Sequence, residues 1–427
     1  MPKLAEVAIA VHDDETGQDE VRVFVFGLEG QLTPFQLTLL AWNPQGPPVN
    51  SPSISGQVTC VWNGDLTGLF AGNNAQDLIV ATDNTDQTQH NLFLFQNNTV
   101  AGSSTGLNYT CVGAYFLDGR PYADDVIIDI EGVDADHDGR PELAVAFDSD
   151  GQGIVHIYDI LESGRLGGWL VEYSLNFTVG IYDMAAGDFQ FDNPVPYPDD
   201  LVILTDPTGV YPGLDTIHFY ASLGGIYKHV TSMEMAGIQP VTAQVGHLFF
   251  FVPGIQSPYH PDFIFGSADG KVRFYYNNWG RSDIPDGPDE APTMYVAFQP
   301  DLPGALVDLR TADIVAPSDF QDVIAAVQPE EPGVNNVYLF RFAPGPSVSA
   351  HQSTVRGTVA CQAAVGMIND DFTPDLLVGD CQWQTTDVYL QDSVLTRFDE
   401  ASAATVFHPG EVKHIEVLIN QGDRSFR

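Results

Sequence analysis

Positive charge is scarce in this sequence. Lysine and arginine number 16 among 427 residues, against 57 aspartates and glutamates, for a formal charge of −41. A surface so negative repels polyanions, which excludes nucleic acid and anionic membranes as partners. Long apolar runs are also missing: none approaches the ~18 residues of a helical membrane span, so no membrane span is expected. The apolar streak Met1–Ala10 is interrupted by Glu6 and runs into His12, Asp13, Asp14 and Glu15 without a cleavage-like site. It reads as a first strand, not a signal peptide. Cysteine is too sparse for a disulfide scaffold, with four residues (Cys60, Cys111, Cys361, Cys381), and their spacing excludes a zinc finger. No segment has the periodicity and caps of an amphipathic helix, and no H-E-x-x-H, C-x-x-C or phosphate-cradling glycine loop is present.

What the sequence does hold is a repeat. An acidic residue followed by four small or apolar ones begins at Glu6, Asp77, Glu142, Asp200, Asp262, Asp322 and Asp375. The intervals, roughly 50 to 70 residues, are in or slightly above the range of propeller blades. After each phrase comes a polar turn and an aromatic-rich strand, such as Asn91–Phe95, Thr216–Tyr220 or Val272–Tyr276. Before most phrases stands another apolar strand, such as Val58–Trp62, Val126–Ile130 or Ala305–Leu309. The phrases are apolar on both faces, as strands covered on both sides require. With 40 glycines and 29 prolines spread along the chain, the composition suits many short strands joined by turns. Strand after strand at a steady period, with no linker, points to an all-β, seven-bladed β-propeller in one domain, 1–427, and not to two packed β-domains.

One loop carries clear chemistry. Gly132-Val-Asp-Ala-Asp-His-Asp-Gly-Arg-Pro-Glu142 reads D-x-D-x-D-G-x-x-E. Calcium takes six to eight oxygens, and carboxylates at alternate positions of a tight loop converge on one point. The expected ligands are Asp134, Asp136 and Asp138 by side chain, Arg140 by its carbonyl and Glu142 as the closing carboxylate. The spacing is too short for an EF-hand, and the bland alternative is an acidic hairpin without metal. A second, weaker set is Asp188, Asp192 and Asp200, with Pro194–Asp199 lengthening the loop. Asn369, Asp371 and Asp375 keep part of the pattern, Asp65 and Asp77 span a longer loop, and His247 takes an acid's place in the fifth repeat, where no metal is expected.

The phrase GVDADHDGRPELAVAF, echoed by AGDFQFDNPVPYPDDLVIL and GMINDDFTPDLLVGD, resembles the calcium loop and following strand of FG-GAP and VCBS repeats, the blades of integrin α-like propellers. That resemblance implies a structural calcium, with ligand contacts on the opposite face or between blades. The function expected from it is recognition: a non-catalytic extracellular or cell-surface adhesion module that binds carbohydrate or protein. The rival is a carbohydrate-active enzyme of lyase or dehydratase type, since some propellers of this repeat type resemble such enzymes.

Other features fit less specifically. Sequons at Asn97, Asn108 and Asn176 fit a secreted chain, although such triplets are common by chance. Gly102-Ser-Ser-Thr-Gly106 matches G-x-S-x-G without the strand–turn–helix context a nucleophile elbow needs. His156 and His218 fall in expected strands as packed or hydrogen-bonded residues. Trp279 and Trp383 are candidates for stacking on sugars, against ordinary packing at strand ends. If Gly366–Pro374 turns a hairpin, Cys361 falls almost opposite Cys381, at a separation that suits a disulfide. The first phrase lacks a preceding strand, and Ile415–Asp423 supplies the matching segment, so the C-terminal strand is expected to complete the first blade.

Overall fold

The computed structural model describes residues 6–13, 18–25, 35–41, 56–64, 76–86, 90–98, 109–117, 125–136, 141–149, 151–161, 165–166, 174–189, 200–205, 214–222, 227–236, 240–246, 248, 261–276, 295–298, 302–312, 321–329, 336–342, 348–353, 359–366, 368, 374–380, 382–392, 397–398 and 404–418. Among them every regular element is a strand. Seven antiparallel four-stranded sheets make the blades of a β-propeller, and two short two-stranded ribbons, Ile160–Leu161 with Arg165–Leu166 and Gln391–Asp392 with Arg397–Phe398, accompany them.

The acidic phrases form the second strand of each blade, flanked on both sides within its sheet. Asp77–Thr82, Asp200–Thr205, Asp262–Ser267 and Asp375–Asp380 are buried at every position. Side chains such as Leu78, Ile203, Phe263 and Leu377 have no exposed surface, and each is worth roughly 1.5–3 kcal/mol of burial. Each blade has four strands where three are plain in the sequence. The fourth strands, such as Tyr227–Ala236 and Val348–Ser353, carry polar residues at most alternate positions and so lack a clear apolar signal.

The chain divides into two compact units, residues 1–130, 159–168 and 353–427, and residues 131–158 and 169–352. In the first unit, Gly410–Leu418 pairs antiparallel with Glu6–Asp13, with Glu6 opposite Leu418 and Asp13 opposite Gly410. The sheet runs Phe35–Ala41, Gln18–Val25, Glu6–Asp13, Gly410–Leu418, so the C-terminal strand completes the first blade as expected. One core joins this blade to the second through Ala8, Val23, Val61, Val80 and Phe93. Another joins it to the seventh through Ile9, Phe24, Leu377, Val406 and Ile415. In the second unit, equivalent cores join the third blade to the fourth (Val133, Val155, Ile203), the fourth to the fifth (Phe189, Phe219, Phe263) and the fifth to the sixth (Phe274, Val323, Phe340).

Two devices recur from blade to blade. In six blades the first strand carries a β-bulge against the second, at Thr59, Tyr182, Val241, Val307, Cys361 and Lys413. Each bulge falls at the same distance from the strand's last residue, as a built feature would. The second device is the buried acid that opens each phrase. The Asp77 carboxylate accepts the N–H of Asn97 at the end of the third strand. Asp200 accepts the N–H of Ser222 at the equivalent place through one oxygen (2.9 Å) and of Phe189, two residues past the first strand, through the other (2.8 Å). Asp375 takes Ile368 N–H, and Glu142 takes Ala135 N–H, both likewise two residues past the first strand. In these four blades the acid ties backbone turns that would otherwise bury unsatisfied donors.

Candidate functional site

Asp134, Asp136 and Glu142 lie in the second unit, at the turn between the first and second strands of the third blade. Their nearest carboxylate oxygens all fall within 4.8 Å of one another. Glu142 opens its strand and is buried at 7% exposure; Asp134 is fully buried, and Asp136 faces solvent. Ala135 explains the convergence. Its N–H is held by Glu142 Oε2 at 2.6 Å, and its carbonyl accepts Ser222 Oγ of the fourth blade at 2.6 Å. With that peptide pinned on both sides, the aspartates before and after it turn to the same side as Glu142. Asp138 and Arg140 lie outside the described residues, so three of the five expected ligands are seen together.

The weaker set is described only in part. Asp192 lies outside the described residues, Asp188 is half-buried, and both oxygens of Asp200 serve backbone N–H groups. Asp375 and Asp77 serve as backbone ties, while Asp65, His247, Asn369 and Asp371 lie outside the described residues.

A second feature, in the seventh blade of the first unit, is aromatic. Trp383 is 65% exposed and Phe407 77% exposed, the two large hydrophobic side chains left in solvent among the described residues. Asp380 Oδ1 accepts the N–H groups of Gln382 (2.7 Å) and Trp383 (2.9 Å), an Asx turn. Gln384 follows in the left-handed region at φ 55°, a conformation that costs a non-glycine residue roughly 1–2 kcal/mol and that this turn enforces. Its carbonyl takes the N–H of His408, and Phe407 stands opposite Thr385, so both rings emerge at one end of the sheet. The turn presents Trp383 outward instead of packing it. Trp279 lies outside the described residues.

Cys361, at the bulge of the same blade, is disulfide-bonded, whereas Cys60 and Cys111 are free thiols. Cys381, its expected partner, lies outside the described residues. Burial raises the Cys60 thiol well above its ordinary range, with Asp129 beside it adding to the effect. Asn97 is buried, and its amide nitrogen donates to Glu6 and to the Tyr109 hydroxyl, which removes it as a glycan acceptor in the folded chain. Asn176 is exposed, and Asn108 lies outside the described residues, as does the G-x-S-x-G stretch. His156 is buried against Phe147 and bonded to the Tyr158 hydroxyl, a packed residue as expected. Among the described residues no helix is long and apolar enough to cross a membrane.

No family model matches the chain, and no curated protein matches it in sequence. Solved structures do. A protein from Lactobacillus plantarum, 13% identical, covers 97% of this chain and 99% of its own with a TM-score of 0.57. The Chaetomium thermophilum Sqt1 bound to the N-terminus of ribosomal protein L10 is 10% identical, with 91% and 81% covered and a TM-score of 0.48. Saccharomyces cerevisiae Sqt1 is 11% identical, with 79% and 73% covered and a TM-score of 0.46. At such identities the likeness extends to fold alone, and by its seven four-stranded sheets the chain is a seven-bladed β-propeller.

Proposed function

We propose that this propeller is a calcium-stabilised recognition module that binds a carbohydrate or protein ligand outside the cell or at its surface. The observation that carries the calcium reading is the convergence of Asp134, Asp136 and Glu142 within 4.8 Å. Three carboxylates so close repel one another unless a cation or protons neutralise them, and a hard oxygen-rich site suits calcium. Its position at a turn tied to the neighbouring blade through Ser222 makes the ion structural. The disulfide at Cys361 suits an oxidising compartment. The ligand surface on this reading includes Trp383, whose exposed indole offers the flat apolar face on which sugar rings stack.

Two measurements test it. Calcium at a hundredfold excess over its dissociation constant adds about 2.7 kcal/mol to the native state. The wild type is therefore expected to melt several degrees lower in chelator than in calcium, and Asp136→Ala to lose most of that difference. Identical melting in both conditions removes the metal. A glycan array probed with and without calcium is expected to show binding that Trp383→Ala abolishes. Turnover of a bound polysaccharide in the same samples would convert the reading to the enzymatic one.

A further inference from the structure

The fourth blade gathers two imidazoles around one hydroxyl. His218 lies in its third strand, Leu214–Ser222, and His229 and Ser232 lie in its fourth, Tyr227–Ala236. His218 stands opposite Ser232, and His229 opposite Tyr220, because the register slips at Val230. Without that bulge, strand alternation would put His229 on the other face of the sheet; the extra residue turns it onto the face of His218 and Ser232. His218 Nδ1 lies 2.9 Å from Ser232 Oγ and His229 Nε2 lies 2.7 Å from the same oxygen. The ring centroids are 5.9 Å apart. A serine hydroxyl has one proton and can donate to only one of the two rings. Two ring nitrogens thus aim at one point.

The surroundings fix that aim. His218 Nε2 is 3.3 Å from Thr205 Oγ1, which leaves Nδ1 turned towards Ser232. Phe177 packs on His218 at 5.1 Å and Tyr220 meets His229 edge-on at 5.3 Å, so two aromatic rings wall the pair. His229 and Ser232 are exposed, which leaves an open approach. The one adjacent cation, Lys228, falls on the opposite face by strand alternation.

We propose that His218 and His229 bind a divalent transition-metal ion of the zinc class through Nδ1 and Nε2 respectively, with Ser232 or water beside it. Imidazole nitrogen is a preferred ligand for zinc, copper and nickel and a poor one for calcium, so this site differs in chemistry from the acidic turn of the third blade. Zinc–nitrogen bonds of about 2.0–2.1 Å place the ion between the two nitrogens, near the position of the serine hydroxyl. Ser232 is exposed and free to rotate aside or to remain as a weak third donor. The excess of negative charge over the whole chain raises the local concentration of any cation.

The test is a zinc titration of the full chain by calorimetry, after stripping with chelator and return to excess calcium, so that the acidic turn is already occupied. Saturable binding of one zinc per chain is expected. His229→Gln, at an exposed position where folding is not at stake, should weaken it roughly tenfold or more, the scale on which even supporting residues of metal sites act. Asp136→Ala should leave zinc affinity unchanged. No saturable binding by the wild type, or equal affinity in His229→Gln, overturns the site. Loss of zinc binding in Asp136→Ala with none in His229→Gln assigns the ion to the acidic turn and overturns it equally.

Discussion

Asp200 holds two turns at once. Its oxygens accept the backbone N–H groups of Phe189 and Ser222, both at the end of the fourth blade, and it is itself 1% exposed. Replacing it with alanine strands two donors, each costing about 1–3 kcal/mol when left unpaired. Asp200→Ala is accordingly expected to lose roughly 2–5 kcal/mol in denaturant unfolding, with chelator present and absent alike. A loss confined to calcium-loaded protein would return Asp200 to the metal ligands. The recurring acid was plain in the sequence, but its task was not, because at Asp77, Glu142, Asp200 and Asp375 the partners are backbone amides that every residue possesses. Asp134, Asp136 and Glu142 were legible for the opposite reason, since alternate carboxylates in a short loop have few other uses. Nothing in the spacing of His218 and His229 announces a pair, because their alignment depends on the bulge at Val230. Trp383 was visible as a residue, but only the Asx turn made by Asp380 shows that it faces solvent.

Among elements, the second strands were the most legible, since strands covered on both faces read as unbroken apolar runs. The fourth strands were the least, because an edge strand mixes polar and apolar residues. The first-strand bulges left no mark: Thr59, Tyr182, Val241, Val307, Cys361 and Lys413 share no side-chain property. What they share is a distance from the strand end, a property of backbone geometry. The decisive element is Gly410–Leu418. It covers Glu6–Asp13 along the whole of that strand and contributes Val412, Ile415 and Leu418 to two cores. A chain ending at residue 409 is expected to expose the edge of a strand whose centre, Val7–Val11, is a continuous apolar run, and to aggregate. Size-exclusion chromatography and melting decide it: a truncated chain that stays monomeric and melts like the full one would show the strand to be dispensable.

For the molecule as a whole, the number of blades followed from the repeat because each phrase is one blade's second strand. The division into two compact units did not, since no change of composition marks it. The pairing of Glu6–Asp13 with Gly410–Leu418 has a consequence in time. A ribosome adds about 5–20 residues each second. Glu6–Asp13 therefore waits roughly 20–80 s at that pace for Gly410–Leu418, its hydrogen-bonding edge open throughout. A circular permutant that links Leu418 to Glu6 through a short loop and opens the chain between two blades would make those two strands consecutive and abolish the wait.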